Sequence, residues 1–230
     1  MGAQWYISLP PVIRSTESET IHTGDRSYLS PVQVLMAPDE PSTRDDFLQY
    51  STEITLDPNT AHTKLSLCDG NRRATLKSND QRYPDHPDRF SVCQVLSRES
   101  LTGRHYWEVE LSGGWWARVA VSYRDIQRKG FSKECLFGYN DKSWALDCNS
   151  NNCSFLFNSV QSQVSDRFTD PLRSRIGVYL DHSAGVLKFY SISGSTMSLV
   201  HRVQTRFTQP LYAGLWIYNT ESTACFLKVK

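Results

Sequence analysis

Long apolar runs are missing from this chain. Nothing in it approaches the roughly 20 consecutive apolar residues that a membrane-spanning helix needs, so no contact with a membrane is expected. Charge of one sign is missing too. Lys and Arg number 25 against 24 Asp and Glu, a net charge of +1, which gives no field to draw in nucleic acid or an anionic lipid surface. The six cysteines, Cys68, Cys93, Cys135, Cys148, Cys153 and Cys225, contain no Cys-x-x-Cys pair. Cys148 and Cys153 stand close enough to suggest a metal clip, but no histidine lies at ligand spacing beside them. Buried free thiols in a reducing, cytoplasmic setting are therefore expected, with no metal. The opening residues MGAQWYISLPPVIR lack the basic start and apolar stretch of a secretory signal. Tyr6 occupies the position where N-myristoylation wants Ser or Thr. Catalytic signatures are also lacking: there is no Gly-x-Ser-x-Gly elbow, no phosphate loop and no His-Glu-x-x-His. Asp85-His86 and Asp181-His182 are sequence neighbours, so in extended backbone their side chains diverge. No enzyme activity and no cofactor are expected.

What the chain does have is aromatic residues, 12% of the total, within an apolar fraction of 39%. They fall in short runs between turns. Leu101 to Val121, LTGRHYWEVELSGGWWARVAV, is central, with strand character at 105–111 and 115–123 on either side of Ser112-Gly113-Gly114. It reads as a core hairpin. Further strands are expected at 53–56, 64–68, 73–77, 90–96, 136–139, 143–148, 153–158, 175–181, 186–192, 199–203, 210–218 and 223–230. The pairs 64–68/73–77 and 175–181/186–192 read as hairpins. Thr43 to Asp46 fits a capping box and starts a short helix. Residues 1–42 read as a linker or extension with at most a short strand at Val32–Met36. Many short strands at regular turn spacing, with no internal repeat, indicate an all-β sandwich. Trp107, Trp144 and Phe189 are assigned to its core, and His182 to a turn.

Leu56-Asp57-Pro58, Tyr106-Trp107-Glu108-Val109-Glu110 and Leu180-Asp181-His182 resemble the three spaced motifs of B30.2 (PRY-SPRY) domains. LDPNTAHTKLSLCDGNRRATL and YPDHPDRF are similar to the PRY half; LTGRHYWEVEL, FGYNDKSWALDC, RIGVYLDHSAGVLKFYSIS and FTQPLYAGLW to the SPRY half. The resemblance covers residues 43–230 (PRY 43–97, SPRY 98–230) and is strongest to fish B30.2 domains on TRIM proteins, the finTRIM group, and on NLR-type receptors. It implies a bent sandwich of two antiparallel sheets, a concanavalin-like jelly roll, behind a short N-terminal helix.

The resemblance also implies a protein-recognition module whose binding loops gather at one end of the sandwich. By that analogy the face comprises Arg82, Tyr83 and Asp85; Trp116 and Arg118; Asp147 and Asn149; and Tyr218, Asn219 and Glu221. Alternation puts Trp116 and Arg118 on one side of their strand, with Trp115 as the rim residue should the register slip, and Arg118 is expected to face Asp147 and Glu221. Such a mixed-charge face suits a protein or peptide rather than nucleic acid. The implied role is target recognition for a TRIM-type ubiquitin ligase in innate, antiviral immunity, by a domain that is itself monomeric or weakly dimeric. An NLR-type receptor module and a butyrophilin-like small-molecule sensor are the alternatives.

Overall fold

The structure, a computed structural model, describes residues 40–114, 116–149, 152–164 and 173–229. The proposed strand at Val32–Met36, nearly all of the 1–42 segment and Trp115 lie outside them. One helix opens the described chain, α1 (Arg44–Leu48). Thr43 caps it as the sequence predicts: its hydroxyl accepts from the Asp46 N–H, and the Asp46 carboxylate accepts from the Thr43 N–H. Everything else of length is strand: β1 (Leu65–Cys68), β2 (Arg73–Leu76), β3 (Gln94–Leu96), β4 (Arg104–Ser112), β5 (Trp116–Tyr123), β6 (Ser143–Asn149), β7 (Cys153–Phe157), β8 (Val160–Val164), β9 (Arg173–Asp181), β10 (Val186–Ser193), β11 (Thr196–Gln204), β12 (Leu211–Ile217) and β13 (Thr223–Phe226).

These strands form two antiparallel sheets, one ordered β1-β2-β13-β4-β9-β10-β11 and the other β3-β12-β5-β6-β7-β8. Their facing sides supply one apolar core that includes Trp107, Val109, Leu111, Val119, Val121, Leu146, Val178 and Phe189. Trp107, Trp144 and Phe189 are all buried, as expected. Each sheet is also covered on part of its outer side. On the seven-stranded sheet α1 seats Phe47 among Tyr106, Tyr179 and Tyr190. On the six-stranded sheet Phe137 lies on β12, where a Cβ at Gly214 would meet its ring at 2.8 Å. That contact explains the absence of a side chain at position 214.

The central stretch is not a hairpin. β4 pairs with β9 and β13, whereas β5 pairs with β6 and β12, so Ser112-Gly113-Gly114 carries the chain from one sheet to the other. Both strands turn an unbroken apolar side inward, and they face each other through the core instead of lying side by side. Alternation alone is the same in either arrangement. The two outer hairpins, β1–β2 and β9–β10, are formed in the expected order.

Four strand expectations shrink, among them 223–230, of which only Thr223–Phe226 is strand among the described residues. Residues 53–56 contribute only one isolated bridge, at Leu56 to Ser97, and 90–96 reduces to β3. The 136–139 run follows a 3-10 turn (Lys133–Cys135) and serves as the plug that seats Phe137. One strand, β8, is not anticipated; its polar sequence Val-Gln-Ser-Gln-Val alternates too weakly. Cys148 and Cys153 are not free thiols but a disulfide. The register of β6 against β7 sets them directly opposite each other with Cα atoms 4.2 Å apart, a relation invisible without the pairing. Cys135 and Cys225 are buried free thiols, Cys93 is partly exposed and Cys68 is exposed.

Candidate protein-binding face

The outer side of the six-stranded sheet is built in rows of cross-strand partners. Trp216 on β12 stands opposite Arg118 on β5, which stands opposite Asp147 on β6. The next row toward the end of the sandwich sets Trp116 opposite Asn149. Side chains two apart on a strand share a side, so Trp116 and Arg118 point out of the same surface. Both donate to one carboxylate: Trp116 Nε1 to Asp147 Oδ1 at 2.7 Å, and Arg118 Nε to Asp147 Oδ2 at 3.0 Å.

Arg118 is only 5% exposed. Its guanidinium lies 4.2 Å from the Trp216 ring centroid and 4.8 Å from that of Tyr139, and its Nη1 reaches the Phe137 carbonyl at 3.4 Å. An arginine fixed by a carboxylate and two rings is structural glue more than a free cation. Above it stand the aromatic residues that do reach solvent. Trp116 and Tyr218 pack with ring centroids 4.6 Å apart, Tyr218 also packs on Trp216 at 5.5 Å, and Tyr218 is 57% exposed. The Tyr218 N–H donates to the Trp116 carbonyl at 3.0 Å, continuing the β12–β5 pairing past the strand end.

Two turns border this patch. Asn219 Nδ2 donates to the Gly114 carbonyl at 2.8 Å and the Ser222 hydroxyl to that of Gly113 at 3.1 Å. A Cβ at Gly113, where φ is +83°, would meet the Glu221 carbonyl oxygen at 2.6 Å. Glu221 is held by Lys77 (2.6 Å) rather than turned toward Arg118. On the other flank the Asn149 N–H donates to the Asn152 carbonyl, and Asn149 Oδ1 accepts from the Asn152 N–H.

The structure thus brings Trp116, Arg118, Asp147 and Tyr218 into one patch, with Asn149, Asn219 and Glu221 on its border. The Arg82–Asp85 stretch is anchored beside β1. The Tyr83 hydroxyl donates to the Leu65 carbonyl at 2.8 Å, its ring lies under the Arg89 guanidinium at 4.9 Å, and Arg89 Nη2 donates to the Pro84 carbonyl. Burial pushes the Tyr83 phenol upward, so it stays a neutral packing group. Arg82 and Asp85 are exposed. Trp216 and Tyr139, which clamp Arg118, are not among the site residues expected from the sequence. Trp216 is within reach of sequence reasoning, since it lies two residues before Tyr218 in one extended stretch.

The chemistry available here is recognition. The Cys93 thiol lies 3.7 Å from His62 Nδ1, but burial pushes the thiol up and the imidazole down. Both are therefore neutral, the opposite of an activated nucleophile. Among the described residues no group of three or more His, Cys, Asp or Glu stands close enough to hold a metal ion, and no helix is long and apolar enough to cross a membrane.

A sandwich of this topology, preceded by a capped helix and carrying an aromatic patch at one end, agrees with comparison to known proteins. Residues 54–101 match the SPRY-associated domain, PRY, and residues 104–228 match the SPRY domain. The chain belongs to the B30.2 (PRY-SPRY) family. It is 37% identical to mouse tripartite motif-containing protein 16, over 80% of this chain and 33% of that one. It is 36% identical to stonustoxin subunit alpha of Synanceia horrida, over 74% of this chain and 24% of that one. It thus spans only a quarter to a third of these relatives. The solved stonustoxin structure superposes with a TM-score of 0.71 at 32% identity, covering 80% of this chain and 28% of that one. The TRIM65 PSpry domain superposes at 0.70 and 25% identity, covering 82% of this chain and all of that one.

Proposed function

We propose that this domain, residues 43–230 behind a linker at 1–42, selects the target protein of a TRIM-type ubiquitin ligase acting in innate, antiviral immunity in the cytoplasm. SPRY domains are protein-interaction modules, and the likeness to tripartite-motif proteins supports this setting. The observation that carries the reading is the Trp116–Tyr218 pair. It is a rigid, partly exposed aromatic contact over a satisfied Arg118–Asp147 pair, the kind of anchor that dominates protein interfaces. The bordering residues Asn149, Asn219 and Glu221, and farther out the exposed Arg82 and Asp85, form the polar rim, with Tyr83 packed beneath its loop. A small-molecule pocket for phosphorylated ligands would need free convergent cations, and Arg118 is already committed to Asp147.

The test uses cells expressing the full-length protein, with Tyr218→Ala beside wild type. The proposal expects one set of proteins to lose both binding and ubiquitylation with the variant. Unchanged ubiquitylation of the same proteins would refute it.

A second reading concerns compartment alone. The Cys148–Cys153 disulfide favours an oxidising setting over the cytoplasm. Alkylation of the protein inside intact cells, followed by mass spectrometry, separates the two: cytoplasmic residence predicts a reduced dithiol, and an oxidising compartment an intact bridge.

A further inference from the structure

Each of the two sheets has two edge strands, and three of the four edges are protected. β1 is four residues long, and the Tyr83 hydroxyl occupies the Leu65 carbonyl. β3 is three residues long and lined by the 56–62 segment, with Gln94 and Leu96 carbonyls accepting from His62 and Asp57. β11 carries the exposed Arg202, and its pairing with β10 is broken by a bulge at Phe189/Tyr190. Charge, brevity and bulges are how natural sheets prevent edge-to-edge pairing.

β8 has none of the charge or bulge protection. Among the described residues it has a strand on the β7 side only. It is exposed at Val160, Gln161, Ser162 and Gln163, with Val160 65% exposed. The run from Cys148 to Ser165 contains no Asp, Glu, Lys, Arg or His, and β8 pairs with β7 without a register break. Its sequence, Val160-Gln161-Ser162-Gln163-Val164, reads the same in both directions.

We propose that β8 is a self-association edge. A second copy of this chain pairs with it antiparallel about a two-fold axis at Ser162. The symmetry sets Val160 against Val164 of the second copy, Gln161 against Gln163, and Ser162 against Ser162. Valines meet where the inner side of β8 runs along Phe157 and Cys153, so the exposed Val160 gains an apolar neighbour. Glutamines meet on the outer side, where their amides donate and accept reciprocally. With no charge on the strand, like facing like carries no repulsion. The palindrome favours a second copy over an unrelated strand, because an isologous contact requires a surface complementary to itself. Each copy offers a single β8, so pairing closes at two. The result is a continuous sheet through both domains, with the Trp116–Tyr218 patches left open. Five residues bury less than the roughly 1,000 Å² typical of stable interfaces, so a dissociation constant on the order of 0.1–1 mM is expected for the free chain. Tethering two copies in a larger assembly would raise the occupancy of this contact.

Sedimentation velocity of the 230-residue chain over a concentration series tests this, with Ser162→Lys and, as a control on the other sheet, Leu199→Lys. Ser162→Lys places two like charges face to face at the axis and touches only an exposed position. The proposal expects a sedimentation coefficient that rises toward the dimer value for wild type and Leu199→Lys. It expects association at least roughly tenfold weaker for Ser162→Lys, with an unchanged urea midpoint. A wild-type chain that stays monomeric up to about 1 mM would overturn the proposal. So would equal association by Ser162→Lys, or loss confined to Leu199→Lys.

Discussion

Arg118 and Asp147 are direct cross-strand partners, joined at 3.0 Å beneath a layer of tryptophan and tyrosine. The pair is nearly dry, with side chains 6% and 12% exposed, and the same carboxylate holds the Trp116 indole. Removing one member leaves a buried, uncompensated charge. Asp147→Ala should therefore lower stability by about 3–5 kcal/mol. The double change Arg118→Leu, Asp147→Leu should be less destabilising than Asp147→Ala alone. Urea unfolding of the three proteins checks this; a single variant that matches wild type would show the pair to be dispensable.

Gly113 and Gly114 make opposite demands although both have positive φ. At Gly113 a Cβ would strike the Glu221 carbonyl at 2.6 Å, whereas at Gly114 it meets nothing within 4 Å. Gly114→Ala should cost about 1–2 kcal/mol from backbone conformation alone. Gly113→Ala should cost more, because the 219–222 turn must also move and take Tyr218 with it. Paired thermal melts and the exposure of Tyr218 by fluorescence report both effects. Equal losses at the two glycines would contradict the contact.

The Cys148–Cys153 bridge closes a short loop between β6 and β7. By the chain-entropy account, a loop of this size contributes about 2 kcal/mol. Reduction, or the double change Cys148→Ala, Cys153→Ala, should lower the denaturant midpoint accordingly and leave the circular dichroism spectrum intact. Complete alkylation of both residues in unreduced protein would show that no bridge is present.

His62 and His201 provide the pH dependence near neutrality. Burial holds both below the ordinary 6.5, His62 despite the pull of Asp80 and His201 where it stacks on Phe155 at 3.9 Å. The unfolded chain therefore binds protons at a higher pH than the folded one. Stability is complete above about 6.5 and declines as pH falls from there toward the folded values. Melting temperature should drop between pH 7.5 and pH 5.5, and His201→Gln should flatten that drop. Asp181 acts lower. Its burial opposes ionisation, but the Ala184 N–H, the Ser183 hydroxyl and Arg104 outweigh burial and hold its carboxyl below 3.8. An identical slope in His201→Gln would remove His201 from the account.

The sandwich was legible in the chain because each long strand is labelled by its own alternation, and because Thr43 and Asp46 spell out a cap. Pairing was less legible. The turn at Ser112-Gly113-Gly114 suits a hairpin as well as a crossing between sheets, and only contacts with β9, β12 and β13, far away in sequence, decide between them. The same holds for Cys148 and Cys153, whose relation depends on register. At the candidate site, Trp116 and Arg118 could be placed on one side of a strand by counting. That Glu221 turns to Lys77 and not Arg118 depends on how the β12–β13 turn meets the end of β2, which no local pattern encodes. Tyr139 stays hidden because Leu136 to Tyr139 has the composition of a strand but folds as a plug after a 3-10 turn.

The most direct test of the recognition face is quantitative capture of cellular proteins by the immobilised domain, comparing wild type, Trp116→Ala/Tyr218→Ala and Leu199→Lys. Circular dichroism and the urea midpoint establish that all three are folded. The account predicts partners whose recovery falls at least roughly tenfold with the double variant and is unchanged with Leu199→Lys. Partners retained in full by the double variant would place the binding surface elsewhere on the sandwich and contradict it.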